Sequence, residues 1–275
     1  MRRVRALLLA TSLVATACSS GGFLRQYEYE EDIYLSLDGS ATVYVNSSLA
    51  ALNALRGASF DTSPAAPIDR AKVREFYTTP VTRVVTTPTT SRRSGRRFVH
   101  VRLDAPDIRK LGEAAPFSWS TYALTRDADL YVFRQTIGAA TGINGVMNGV
   151  MNAAKNVGEN VGENGVKNGA NVGWTGKELV AFRLHLPSEI VYHNAGPENP
   201  KRGNILVWEQ PLADRLRGEP LVPGPDPSLD ARIKSQSILY RTLWLFGATF
   251  AAVALMFVVV IWWILRRGTT TGARS

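Results

Sequence analysis

The sequence predicts an α+β domain, built from an antiparallel sheet and short helices, followed by one C-terminal transmembrane helix. Three observations indicate this class. Short runs of alternating apolar and polar residues cluster in twos, amphipathic stretches of about two turns separate some of them, and residues 243–265 carry no charge. Strands that follow one another in pairs favour an antiparallel sheet over repeated βαβ units. The 275 residues leave one domain of ordinary size between the terminal segments.

The first 17 residues predict a lipoprotein-type signal peptide. Three arginines precede an apolar run at 6–15, which is too short to span a membrane. The chain's only cysteine, Cys18, follows Ala-Thr-Ala and stands where a lipobox cysteine receives a diacylglycerol. Ala15 occupies the position where such motifs usually have Leu, so ordinary cleavage after Ala17 is the alternative. A single cysteine excludes an intramolecular disulfide and a thiolate metal site.

Local patterns place the elements of the exported domain in order. Strands are predicted over 30–37, 41–46, 81–87, 98–103, 117–124, 130–137, 178–186, 190–193 and 204–209. Ser48 can cap a helix that ends at Gly57, and Asp69 stands near the start of a second amphipathic helix over 68–77. Pro106 opens a further short helix.

The C-terminal third predicts how the domain is attached to the membrane. Residues 218–238 contain four prolines near their start and predict a stiff stalk. The transmembrane helix with its flanks is predicted over 239–267, which leaves a short tail at 268–275. At 1.5 Å per residue the uncharged run reaches about 34 Å, enough to cross a bilayer core of about 30 Å. The predicted interfacial residues are Trp244, Trp262, Trp263, Arg266 and Arg267.

The orientation follows from the positive-inside rule. The two arginines after the span place the tail in the cytoplasm and the domain, over 18–217, on the extracytoplasmic side of a bacterial cytoplasmic membrane. Of the formal charge of +9, the arginines of the signal peptide and of the tail account for six, which leaves +3 for the exported part. A nucleic-acid partner is therefore excluded.

One basic turn is a candidate for contact with anionic head groups. The turn over 91–97 carries Arg92, Arg93, Arg96 and Arg97. Basic residues near a bilayer contribute about 1 kcal/mol each. The favoured alternative is a solvated hairpin loop.

The residues that could support catalysis or bind a metal do not form a recognised motif. His100 and His185 fall on the polar faces of their strands, and His193 stands eight residues further on. Neither HExxH nor GxSxG, SxxK or P-loop spacing occurs. An acidic run over 28–32 could pair carboxylates for acid–base chemistry, but a solvated strand edge is the favoured interpretation. We therefore predict no catalytic residue, metal site or cofactor.

Aromatic residues in or beside the strands allow two interpretations. They could line a pocket for an acyl chain or a sugar, but we expect them to fill the core. They are Trp119, Tyr122, Tyr131, Phe133, Trp174 and Trp208.

An insertion over 142–173 repeats Asn at every fourth position for seven tetrads. On a straight helix equivalent positions drift about 40° per tetrad, so the Asn residues cannot line one face. Small residues at GxxxG spacing favour helix packing against a protein partner, whereas the Gly and Asn content favours a flexible or partly helical loop.

The stretches FRLHLPSEIVYHNA and RGNILVW resemble a pattern of LppM-like bacterial lipoproteins. The matching positions are Pro187, Val191, Asn194, Gly203, Val207 and Trp208. The early hairpin IYLSLDGSATVYV and the order of lipobox, domain and single span are similar as well. The resemblance implies an exported envelope domain that binds lipid or glycolipid without catalysis, and the Asn tetrads are not part of that pattern.

Three functions follow as hypotheses. The first is a membrane-anchored envelope lipoprotein whose domain binds a membrane lipid or lipoglycan. The second is an assembly protein that contacts a partner through 142–173. The third, which we favour least, is an envelope hydrolase.

Overall fold

The structure is a computed structural model that describes residues 25–142, 174–199 and 203–268. Its strands are β1 (Tyr27–Leu35), β2 (Ala41–Ser48), β3 (Arg83–Val84), β4 (Thr89–Arg93), β5 (Arg96–Ala105), β6 (Ser120–Asp127), β7 (Leu130–Ile137), β8 (Leu179–His185), β9 (Ser188–His193), β10 (Ile205–Pro211) and β11 (Leu229–Ser237). Its helices are α1 (Leu49–Arg56), α2 (Arg70–Tyr77), α3 (Leu212–Leu216) and α4 (Ile238–Gly268), with 3-10 turns at Ile108–Glu113 and Ala115–Phe117. The predicted α+β class is confirmed.

The larger sheet has the strand order β10-β8-β1-β2-β5-β3, and β4 also pairs with β5. Its pairs are antiparallel except one, since β1 and β8 run parallel with Tyr34 opposite His185. A parallel pair needs a long crossover connection. Here the chain builds β2 to β5 of the same sheet and then β6 and β7 of the other sheet before β8 begins.

The smaller sheet is antiparallel, with the order β6-β7-β11-β9. The inner faces of the two sheets, together with α1, enclose the core. Trp119, Tyr122, Phe133 and Trp208 are buried and Tyr131 and Trp174 partly buried, as expected for core filling.

The predicted stalk is wrong over its second half. Residues 229–237 form β11, which pairs with β7 on one side and β9 on the other. Leu229, Ala231 and Ile233 are buried because they alternate toward the core. The domain predicted to end at 217 therefore extends to Ser237, and its last strand lies inside the smaller sheet.

The predicted helix boundaries are confirmed at their caps. Ser48 accepts a hydrogen bond from the Ala51 amide at 3.1 Å and Gly57 closes α1 with φ 64°. Asp69 accepts from the amides of Ala71 and Lys72 at the start of α2. The strand expected over 81–87 shrinks to β3, two residues long.

Helix α4 contains a candidate membrane span. Thr242–Arg266 is long and apolar enough to cross a bilayer, with a mean hydropathy of 2.5. Trp244 and Trp262 are exposed near its two ends, and the Arg266 guanidinium lies 4.7 Å from the Trp262 ring centre. About 27 Å of helix separates the two tryptophans, close to the thickness of the hydrocarbon layer.

Several predictions fall outside the described residues. These are the signal peptide with Cys18, residues 143–173 of the tetrad insertion and residues 269–275 of the tail.

Candidate functional site

A groove of about 580 Å³ opens at the end of the larger sheet where β1, β5 and β8 terminate. The turn between β1 and β2, the end of β5 and the turn between β8 and β9 surround it. Its lining residues are Tyr34, Leu35, Ser36, Ser40, Ala41, Thr42, Arg83, Asp104, Ala105, Pro106, His185, Leu186 and Pro187.

Parallel pairing of β1 with β8 creates the aromatic wall of this groove. Tyr34 and His185 are register partners, and their rings stack at 3.8 Å with an interplanar angle of 12°. Tyr44, on the neighbouring strand β2, meets Tyr34 edge to face at 5.4 Å. Tyr34 remains 46% exposed, so part of the aromatic surface is open to a ligand.

Polar groups on β2, β5 and β3 continue the same cross-strand row, in register with Tyr34. An Arg83 guanidinium nitrogen lies 3.7 Å from an Asp104 carboxylate oxygen, and the Thr42 hydroxyl donates to Asp104 at 3.1 Å. A surface groove that combines aromatic area with a few hydrogen-bonding groups is typical of small-molecule sites.

The electrostatics keep the aromatic wall uncharged near neutral pH. Burial lowers the pKa of His185, and the charge of Arg183 lowers it further. Burial raises the pKa of Tyr34, with added contributions from Asp32 and Tyr44. Both rings can therefore make neutral stacking contacts.

Arg183 pairs with two carboxylates beside the aromatic pair. Its guanidinium lies 2.7 Å from Glu30 and 3.3 Å from Asp32. Burial opposes its positive charge, but the two carboxylates raise its pKa overall. The three side chains thus neutralise much of one another's charge on this face of the sheet.

A second groove, of about 440 Å³, lies at the opposite end of the domain and includes Arg25, Trp208 and Glu209. Asn194 joins three segments there. Its side-chain oxygen accepts from the Trp208 indole at 3.2 Å and from the Asp230 amide at 3.0 Å, and its amide nitrogen donates to the Ser228 carbonyl at 2.7 Å. These motif positions therefore have a structural role in holding β11 against β10.

The basic turn differs from its prediction. Arg96 is 9% exposed and pairs with Glu28 at 2.9 Å, while Arg97 is 4% exposed and donates to the carbonyls of Asp61 and Ala66. Burial therefore removes Arg96 and Arg97 as head-group contacts. Arg92 is exposed, and Arg93 donates to the Tyr27 carbonyl and lies 4.4 Å from the Phe98 ring centre.

The acidic run over 28–32 is not a solvated edge. Strand β1 lies inside the larger sheet, and Glu28 and Glu31 are 0% exposed. Glu31 bonds Arg56 at 2.5 Å, Tyr29 at 2.8 Å and Tyr122 at 3.0 Å. This buried network holds α1 and both sheets together.

The histidines stay apart from one another. His100 bonds Asn46 at 3.0 Å and Ser91 at 2.8 Å on the outer face of the larger sheet, and His193 bonds the Ala195 carbonyl at 3.2 Å. Among the described residues there is no group of three or more His, Cys, Asp or Glu side chains that could hold a metal ion.

Sequence reasoning identified His185 only as a surface histidine and did not single out Tyr34, Tyr44 or Arg83. No local pattern marks them, because 151 residues separate Tyr34 from its register partner. The alternation of EEDIYLSL places Tyr34 on the outer face, but only the pairing of β1 with β8 brings His185 beside it.

The comparisons with solved structures include one weak likeness. No family model and no curated protein matches the chain. The folded domain of the Mycobacterium tuberculosis protein LppM, solved by NMR, is 11% identical with a TM-score of 0.36, over 77% of this chain and 92% of that chain. The similarity to this domain is weak and structural.

Proposed function

We propose that this chain is a non-catalytic, membrane-anchored envelope protein whose exported domain binds a lipid or lipoglycan in the groove beside Tyr34 and His185. The observation that carries the proposal is the position of this groove. It opens at the end of the domain from which the membrane helix leaves, since β9 begins three residues after His185 and its first residue, Ser188, is paired with Ser237.

The chemistry of the groove supports a head group as the bound part. Its volume of about 580 Å³ lies within the usual range for small-molecule sites, about 300–1,000 Å³, and is small for a whole two-chain lipid. The exposed Tyr34 surface suits the flat face of a sugar ring, and Arg83 and Asp104 supply a donor and an acceptor for phosphate or hydroxyl groups.

The test compares the lipids that accompany the full-length protein. Wild-type protein, the Tyr34→Ala/His185→Ala variant and Tyr192→Ala are purified in mild detergent, and co-purified lipids are quantified by mass spectrometry. Tyr192 is a matched control because its exposed fraction, 47%, is close to that of Tyr34, but it lies on β9 in the other sheet.

We expect the double variant to lose the retained lipid roughly tenfold, because each aromatic contact contributes about 0.5–1.5 kcal/mol. Tyr192→Ala should retain it. The proposal would be contradicted if all three proteins retained equal amounts of lipid. It would also be contradicted if the wild type showed no lipid enriched over the bulk detergent extract. A thermal melt of each variant confirms that the compared proteins are folded.

A further inference from the structure

The junction between the domain and the membrane helix contains no linker. Strand β11 ends at Ser237 and α4 begins at Ile238. The pairing of β11 with β9 shifts register between Ile233 and Ser237, but Ser237 is opposite Ser188. The last residues are also held by hydrogen bonds, since the Ser188 hydroxyl donates to the Gln236 carbonyl at 2.5 Å and the Ser235 amide donates to the Asp129 carbonyl at 2.9 Å. The neighbouring strands therefore hold the exit point of the chain.

This exit point lies close to the apolar part of the bilayer. The candidate span begins at Thr242, and the four helical residues before it rise only about 6 Å. The head-group region on each side of a bilayer is about 5–7 Å thick, from the difference between total and hydrocarbon thickness. The end of β11 is thus within reach of the head groups.

Strand directions show which parts of the domain share this end. Strand β9 is antiparallel to β11, so the turn between β8 and β9 lies beside the junction. Strand β1 is parallel to β8, which brings the turn between β1 and β2 to the same end, and the turn between β6 and β7 joins them through Asp129. We name these three turns, at 36–40, 128–129 and 186–187, the membrane-proximal end.

The basic turn lies at the opposite end. Strand β5 runs from Arg96 to Ala105, and Ala105 is opposite Ala41 beside the groove. Ten residues of strand separate the two ends by roughly 30 Å. Arg92 and Arg93 therefore stand far from the junction, whereas the groove stands next to it.

We propose that the membrane-proximal end rests on the head-group layer of the bilayer that α4 itself crosses, so that the groove takes its ligand from the adjoining leaflet. The uptake of a ligand from the leaflet rests on the proposed function, whereas the docking on the head groups does not. Because β11 runs directly into α4, no linker separates the domain from the bilayer. The junction therefore determines which end of the domain contacts the head groups.

The charges at this end explain why the junction, rather than electrostatic attraction, sets the contact. Arg83 lies 3.7 Å from Asp104, Lys234 lies 2.8 Å from Glu189, and Arg109 lies 2.8 Å from Asp107. These cations are largely neutralised by carboxylates, so the surface is not a basic patch. Contact should consequently depend little on salt or on anionic lipid.

The test measures short-range quenching of a fluorophore by lipids that carry a nitroxide on the head group. In a Cys18→Ser background, full-length protein labelled at Asp127→Cys or Arg92→Cys is placed in phosphatidylcholine nanodiscs. Both residues are exposed, and they stand at the proximal and distal ends respectively. We expect at least fivefold stronger quenching at position 127, unchanged between low and high salt.

Insertion of twelve Gly/Ser residues between Ser237 and Ile238 provides the second arm. Such a linker has an r.m.s. reach of about 17–20 Å, so quenching at position 127 should fall at least twofold. Equal quenching at both positions would overturn the docking. If quenching at position 127 is unchanged by the insertion, the direct junction is not the cause of the docking.

Failure of the docking and failure of ligand binding remain distinguishable. Lipid retained by the wild type but lost from the groove variant, together with equal quenching at the two ends, supports binding and overturns docking. Stronger quenching at position 127 than at position 92, without retained lipid, supports docking and overturns binding.

Discussion

Glu31 uses both carboxylate oxygens inside the core. One oxygen accepts from Arg56 and Tyr29, and the other accepts from Tyr122 at 3.0 Å and Gln135 at 3.1 Å. The partners come from β1, α1, β6 and β7, so a single side chain connects both sheets with the first helix. The Arg56 guanidinium also lies 3.6 Å from the Trp119 ring centre.

Replacement of Glu31 by Gln should destabilise the domain by about 3–5 kcal/mol, because it leaves the Arg56 charge buried without a carboxylate. Chemical unfolding of the full-length protein measures the change. Glu189→Gln is the control, since the Glu189 side chain is 53% exposed beside Lys234, and should change the free energy of unfolding by less than about 1 kcal/mol. A loss below 1 kcal/mol for Glu31→Gln would show that the pair adds little to stability.

The sequence contains only part of the information about this residue. Glu28, Glu30, Glu31 and Asp32 look alike in the acidic run, yet Glu28 and Glu31 are buried and the other two are partly buried beside Arg183. Which members are buried depends on Arg56 and Arg96, which approach from other elements. Local alternation cannot supply these partners.

At the scale of elements, structure that is fixed by neighbouring residues was predictable. The hairpins β1–β2 and β6–β7 and the helices α1 and α2 follow from turn residues and caps close in sequence. The parallel partner of β1 and the place of β11 were missed because both depend on pairing between distant segments. The alternation of Leu229, Ala231 and Ile233 was visible, but the prolines before it favoured the stalk.

The 3-10 turn Ile108–Glu113 covers the edge strand β6, and Gly112 allows the close approach. A Cβ atom at Gly112 would stand 2.6 Å from the Ser120 carbonyl oxygen. Covering an edge in this way protects it from pairing with another chain.

Gly112→Ala should therefore cost about 1–3 kcal/mol, because the turn must shift away from β6. A thermal melt should show a decrease of roughly 2–4 °C per kcal/mol for a domain of this size. Gly196→Ala is the matched control, since a Cβ there meets no atom within 4 Å. An unchanged melting temperature for Gly112→Ala would mean that the turn is not held against the strand.

At the scale of the whole molecule, the chain combines a candidate membrane span with a predicted lipid anchor. Thr242–Arg266 has the length and composition of a span, and the orientation with the tail inside remains a prediction from Arg266 and Arg267. Cys18 precedes the first described residue, Arg25, by seven positions. Arg25 bonds Glu209 in the second groove, at the distal end of the domain.

Truncation after Ser237 separates the two anchors. The truncated chain should stay with the membrane fraction, because a diacylglycerol on Cys18 supplies two acyl chains, enough for stable attachment. Adding Cys18→Ser should release it, whereas Ser19→Ala, the neighbouring control, should not. Full-length Cys18→Ser should remain in the membrane through α4. Release of the truncated chain with Cys18 intact would show ordinary cleavage after Ala17, and α4 would then be the anchor that holds the domain at the bilayer.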